Sequence, residues 1–153
     1  MEKVVFTNGC FDILHPGHID LLKRARKLGT KLVVGINSDR SVRSIKGAGR
    51  PLQDQEARRA VLSGLSMVDE VVIFDELTPE NLIKQIKPDV LVKGGDWPGD
   101  QIVGREEVEA AGGRVVSIHI VPGYSTSAIL RKIREGFGEK PQPKGARASR
   151  AES

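Results

Sequence analysis

Apolar positions along the chain fall into two alternating patterns. Short β-branched runs stand at residues 4–7, 32–36, 71–74, 90–92 and 115–121, each bounded by Gly, Pro, Asn or Asp. Most run on without the polar–apolar alternation of a half-exposed strand, as strands covered on both faces do. Between them, apolar residues recur at helical spacing. Ile19, Leu22, Ala25 and Leu28 form one stripe, with Gly29 placed as its C-cap. A second helix is expected over 54–65. A third opens at Thr78-Pro79-Glu80, with a capping hydroxyl and a proline at its first position. A fourth covers 103–111, before Gly112-Gly113, and a fifth 125–134. Strand and helix alternating five times predict an α/β fold, a Rossmann-like, doubly wound, five-stranded parallel sheet in a single domain over residues 1–135.

The 153 residues suit one such domain with a sizeable core. No apolar run approaches the roughly 18 residues of a membrane span, and the N-terminus lacks the apolar stretch of a signal peptide. A cytoplasmic protein with no membrane partner is expected. Cys10, the one cysteine, forms no internal disulfide and brings no metal-binding pair. Net charge is +4, of which residues 136–153 supply +2. That segment, rich in Pro, Gly, Ala and Ser, reads as a disordered tail, and the remaining body is close to neutral. One Trp, one Tyr and four Phe offer little surface for stacking bases, so a nucleic-acid partner is not expected.

Ligands of a doubly wound sheet bind at the carboxyl ends of its strands, where the strand order reverses. The segments that follow the strands are Asn8-Gly9-Cys10-Phe11-Asp12 leading into HPGH, then Asn37-Ser38-Asp39, Lys93-Gly94-Gly95-Asp96-Trp97, and Gly123-Tyr124-Ser125-Thr126-Ser127. In HPGH, His15 and His18 flank a Pro-Gly turn that can bring both imidazoles to one side. Three readings are open: a metal site, a structural turn and a phosphate contact. A zinc site lacks a third ligand at familiar spacing, since His119 is expected inside the last strand. Gly9 after a strand, and helix amides starting near His18, favour phosphate. Arg40, Arg43, Lys46 and Arg50 form a basic run without an intervening carboxylate, either a solvated loop or a mobile clamp over a polyphosphate. The hydroxyls of Ser125, Thr126 and Ser127 either cap the last helix or join its amides in holding phosphates.

The stretch GCFDILHPGH, between first strand and first helix, closely resembles the signature of the cytidylyltransferase-like, HxGH nucleotidyltransferases. The resemblance runs from Val4 to about Arg134. NSDRSVRSIKGAGRP, VVIFDELTP, IKPDVLVKGGDW and PGYSTSAI are similar to the adenylyltransferases that activate D-glycero-β-D-manno-heptose 1-phosphate. In many bacteria that domain is fused behind a sugar kinase, so a separate kinase is implied here. The resemblance implies transfer of AMP from ATP to heptose 1-phosphate, with Mg²⁺ carried by the triphosphate and no directly bound metal. His15, His18 and Lys46 would be catalytic. The nucleotide would be met by these three and by Asn8, Gly9, Cys10, Phe11, Asp39, Lys93, Asp96, Tyr124, Ser125, Thr126 and Ser127. Asp12 and Arg50 would stand at the sugar phosphate, with Asp12 bracing the first loop. Cytidylyltransferases acting on glycerol 3-phosphate are the alternative. Their final motif carries an arginine for the cytidine nucleotide where this sequence has Ile120, which favours ATP. The family often forms homodimers, so a homodimer is a possible assembly.

Overall fold

A computed structural model describes residues 1–95 and 101–138. Strands β1 (Val4–Gly9), β2 (Lys31–Asn37), β3 (Glu70–Phe74), β4 (Val90–Gly94) and β5 (Arg114–Ile118) form one parallel sheet in the order β3-β2-β1-β4-β5. Helices α1 (Pro16–Arg26), α2 (Asp39–Lys46), α3 (Gln55–Ser63), α4 (Glu80–Ile86), α5 (Arg105–Ala110) and α6 (Thr126–Ile133) connect and flank it, and a π-helical turn, Arg134–Gly138, continues α6. The expected parallel sheet and single-domain architecture are what the chain adopts.

The unbroken apolar runs divide by parity between two cores. Val5, Leu32, Val34, Val90 and Val92 pack with Leu22, Ala25 and Leu62 of α1 and α3. Their sequence neighbours Phe6, Val33 and Leu91 face the other way, onto Leu82, Ile83 and Val108 of α4 and α5. Each such side chain, fully withdrawn from water, contributes about 1.5–3 kcal/mol. This two-sided burial is why the strands show no polar alternation.

Strand order reverses between β1 and β4. There the parallel register joins only Val5 to Val90 and Phe6 to Leu91, whereas β1 and β2 pair over all six residues of β1. Beyond that short ladder the Thr7 hydroxyl donates to the Val92 carbonyl at 3.0 Å, and the strands part. A crevice opens at their carboxyl ends.

Several boundaries differ from the sequence expectation. Residues 39–46, expected as a basic loop, form α2, begun by the Ser38 side chain accepting from the Ser41 amide and ended at Gly47 (φ 97). The last strand stops at Ile118, so His119 lies beyond it rather than in its interior. Thr78 does not cap the third expected helix: α4 starts at Glu80 with Pro79 as N-cap and no side-chain cap bond. The first helix closes with Lys27, not Gly29, as C-cap. Gly29 serves a close approach instead, since a Cβ there would lie 2.5 Å from the Lys3 carbonyl oxygen. Of the expected tail, residues 136–138 complete the π-helical turn and 139–153 lie outside the described residues.

Candidate active site

The HPGH turn fixes the chemistry of both its imidazoles through backbone bonds. His15 is the N-cap of α1, extended at φ −145 and ψ 171, and its Nδ1 accepts from the Gly17 amide at 3.1 Å. His18 Nδ1 in turn accepts from the His15 amide at 3.3 Å. A neutral imidazole with Nδ1 accepting carries its proton on Nε2. Both histidines are therefore held as Nε2–H donors. Their rings stack with centroids 3.8 Å apart and planes 26° from parallel, and the Phe11 ring lies 5.1 Å from that of His18. Gly17 makes room for this pair, because a Cβ would stand 2.9 Å from His15 Cε1. Burial, then the neighbouring His15, pushes the His18 pKa down to about 4, and burial lowers that of His15 too. The pair is neutral at pH 7.

This geometry revises one expectation. The first amides of α1 do not point at a ligand: Gly17 N–H binds His15 Nδ1, and those of His18 and Ile19 bind the His15 carbonyl. At α6 the arrangement differs. Ser125 is the N-cap, its hydroxyl accepting from the Ala128 amide at 3.0 Å, and the Thr126 hydroxyl donates to the Ile13 carbonyl. The amides of Thr126 and Ser127, at the first two positions, have no acceptor within the helix. They make α6, rather than α1, the anion-facing helix start.

The cations sort themselves by partner. Arg40 is paired with Asp75, a carboxylate from after β3, and is not part of the lining of the histidines' cleft. Arg50 donates from Nε to Asp12 at 3.1 Å. Lys46, the last residue of α2, lines the cleft beside Arg50. Lys93, the penultimate residue of β4, also lines it, and burial lowers its pKa.

The cleft, about 410 Å³, is walled by Asn8, Gly9, Cys10, Phe11, Asp12, His15 and His18 from the first segment. Tyr124, Ser125, Thr126 and Ser127 close it from the last one. Two of the expected site carboxylates are held by donors of the protein itself. Asp39 is not part of the lining, and its carboxylate accepts from Arg58 Nη2 at 2.8 Å. Asp12 has its oxygens occupied by the amides of Leu52 (2.8 Å) and Gln53 (2.9 Å) as well as by Arg50. Burial pushes its pKa up, but those three donors outweigh it and the net shift is downward. Asp12 thus braces the 50–53 segment and reaches a substrate only through Arg50. Asp96 lies outside the described residues. Burial raises the Cys10 thiol above its usual range despite Lys46, Arg58 and Arg50 nearby, which leaves it a protonated wall and not a nucleophile.

Two contributors escape the sequence reading. Arg58, its side chain wholly buried, donates to the carbonyls of Gln53 (3.0 Å), Cys10 (2.9 Å) and Asn37 (2.8 Å) and to Asp39. It staples the segments after β1 and β2 to α3. Its signal is its spacing, for Arg58 stands at the position of an apolar residue in a stripe with Leu62 and Leu65. His119, freed from the strand, joins Ile120, Tyr124 and Leu21 in the cleft lining.

The cleft therefore gathers neutral hydrogen-bond donors, three cations and a helix start around one space, an environment for a polyanion. Among the described residues no group of three or more His, Cys, Asp or Glu is placed to hold a metal ion.

Comparison with known proteins agrees with this. The family profile described as cytidylyltransferase-like matches residues 6–132. The chain is 58% identical over 134 residues to a bifunctional protein HldE of Bradyrhizobium diazoefficiens, covering 88% of this chain and 27% of that protein. It is 55% identical to the HldE of Pseudomonas paraeruginosa, over 88% of this chain and 28% of that one. The chain thus spans little more than a quarter of the length of these curated relatives. Among solved structures, the lipopolysaccharide core biosynthesis protein of Thermoplasma volcanium superposes with a TM-score of 0.65 at 31% identity, over 79% of this chain and 98% of that one.

Proposed function

Since the chain belongs to the cytidylyltransferase-like family and is a nucleotidyltransferase, we propose that it transfers the AMP moiety of ATP to D-glycero-β-D-manno-heptose 1-phosphate, releasing pyrophosphate. The observation that carries this reading is the stacked, neutral His15–His18 pair with both Nε2–H groups available to the cleft. An oxygen of the sugar phosphate attacks the α-phosphorus, forming the new P–O bond. The bond from that phosphorus to the bridging oxygen breaks, and its electron pair leaves with pyrophosphate. The attacking phosphate is ionised near pH 7, so no general base and no protein nucleophile is needed. Alignment and charge stabilisation are the whole task.

His18 and His15 donate to oxygens of the α-phosphate and the leaving group as charge moves there. Because both are neutral, they stabilise that charge without giving up a proton. Lys46 meets the phosphates from α2, and the Thr126 and Ser127 amides hold the β- and γ-phosphates. Arg50, positioned by Asp12, is assigned to the acceptor phosphate. The described carboxylates near the cleft are engaged by Arg50, Arg58 and backbone amides, so Mg²⁺ fits this site only as a companion of the triphosphate. When bound, it neutralises phosphate charge. The similarity to the HldE proteins and to the lipopolysaccharide core biosynthesis protein supports heptose as acceptor. Ile120, where cytidylyltransferases carry arginine, supports ATP. A sugar kinase would supply the heptose 1-phosphate in the cytoplasm.

The test is pyrophosphate release by the purified protein with heptose 1-phosphate or glycerol 3-phosphate, each with ATP or CTP and Mg²⁺. Fastest turnover with ATP and heptose 1-phosphate is expected. Faster turnover with CTP and glycerol 3-phosphate overturns the assignment.

A further inference from the structure

The last helix is packed unlike the others. Each of α1 to α5 has buried residues, and α6 has none. It is tied down at its first turn, where the Thr126 hydroxyl donates to the Ile13 carbonyl. From there an apolar stripe runs along α6 and the π-helical turn that continues it. Ile129, Ile133 and Phe137 recur at every fourth position, a spacing that keeps them on one face, with Leu130 beside them. Burial fades along this stripe. Ile129 and Leu130 are half-buried, Ile133 is 49% exposed, and Phe137 is 86% exposed. A continuous apolar face that emerges into solvent and ends in a bare aromatic ring marks an interaction surface.

Charge decides which partner fits. By helical spacing Lys132 and Arg134 border the stripe on either side and Arg131 stands behind it, with Glu135 the one opposing carboxylate of this stretch. All four are exposed, and among the described residues none of the three cations is paired with a carboxylate. A second copy docked on this face would set like charges against each other, which opposes a two-fold dimer here. The sequence continues in the same sense. Lys140, Lys144, Arg147 and Arg150 follow, and residues 139–153 hold no aromatic and no branched aliphatic side chain. A protein groove would use the stripe and leave those later cations idle, and a nucleic acid would use the cations and leave Phe137 in water. An anionic lipid surface uses both, since the apolar face enters the headgroup region while lysine and arginine reach the lipid phosphates. Such a contact needs no spanning segment, and none of the described helices is long and apolar enough to be one.

We propose that α6 and its π-helical continuation are a docking surface for an anionic bilayer, lying in the headgroup plane with Ile133 and Phe137 inserted and Lys132 and Arg134 against the lipid phosphates. The expectation of no membrane partner is revised accordingly, to a peripheral contact. The helix begins at the cleft, but none of these four residues belongs to the cleft lining. Docking and turnover can therefore be altered separately, and the proposal stands whichever nucleotide and acceptor the cleft takes.

The experiment is flotation of the full chain with vesicles of phosphatidylcholine alone, or of phosphatidylcholine and phosphatidylglycerol in equal parts. Binding to the anionic vesicles is expected to be about tenfold or more tighter than to the neutral ones, and to weaken as salt is raised to about 0.5 M. Phe137→Ser, which removes the inserted ring and no charge, and the double variant Lys132→Gln, Arg134→Gln, which removes charge and no apolar surface, are each expected to lose about tenfold. All these side chains are exposed, so thermal unfolding midpoints should match the wild type and show the fold intact. No binding to anionic vesicles, equal binding to both kinds, or unchanged binding by Phe137→Ser overturns the proposal. So does a wild-type dimer in light scattering that Phe137→Ser makes monomeric, which gives the face to a second copy. Tighter binding to a single-stranded oligonucleotide than to the anionic vesicles, unaffected by Phe137→Ser, also overturns it and makes the cations a nucleic-acid contact.

Discussion

At the scale of single residues, the decisive atoms are two nitrogens. HPGH ties Nδ1 of each histidine to a backbone amide, so the opposite nitrogen of each ring must carry the proton. On the proposed reading, replacing His18 by Ala removes one donor to the reacting phosphates and is expected to lower kcat about 100–1000-fold, with ATP affinity and fold largely retained. Steady-state kinetics alongside nucleotide titration measures this, and unchanged turnover would refute the role of His18. The sequence made the pair visible, since HxGH is distinctive and lies in the segment after the first strand. It could not show the division of hydrogen bonds, because that depends on the backbone curling back on itself within one turn. Asp12, which braces the 50–53 segment, and Asp39, which stands outside the cleft lining, make a related point. A carboxylate in a strand-end segment reads as a ligand contact until its donors are known, and these two already face Arg50 and Arg58.

Secondary-structure elements carry the second lesson. The five strands and the helices that pack on them were legible from unbroken apolar runs and 3.6-residue stripes, because burial imposes those periods. α2 was not. It has only Val42 buried among its apolar residues, and its arginines and Lys46 hide the pattern that Ser38 announces as a cap. Its importance is positional, since it carries Lys46 to the cleft on a helix end rather than a loose loop. Arg58 fastens this neighbourhood from α3. Replacing it by Met leaves three carbonyls and Asp39 without their donor, and a loss of about 3–5 kcal/mol in unfolding free energy is expected. Urea denaturation measures it. A loss under about 1 kcal/mol would mean that the segments hold together without the guanidinium.

For the whole molecule, the neutral histidines couple the site to global stability. An unfolded His18 titrates near its ordinary 6.5, whereas in the fold it does so at about 4. Between those values the unfolded chain binds more protons, so stability rises with pH and falls as pH drops from 6.5 towards 4. His15 shifts in the same direction. Asp12, lowered from 3.8, extends the loss below that range as its carboxylate protonates. The urea midpoint should therefore be lower at pH 5 than at pH 7, and His18→Gln should flatten the difference. A midpoint that does not change with pH in the wild type would contradict a buried neutral pair.

The strands that flank the crevice share two register pairs and then separate. Seen from the protein's side, the middle of the sheet is a seam left unstitched, and a nucleotide held there as proposed would be the missing stitch. Substrate would then be a structural part of the domain as well as its cargo. A saturating ligand adds to the stability of the fold in proportion to the logarithm of its concentration over Kd, about 2.7 kcal/mol at a hundredfold excess. If the proposed reading holds, the nucleotide that this domain works on would also strengthen it along the line where its chemistry takes place.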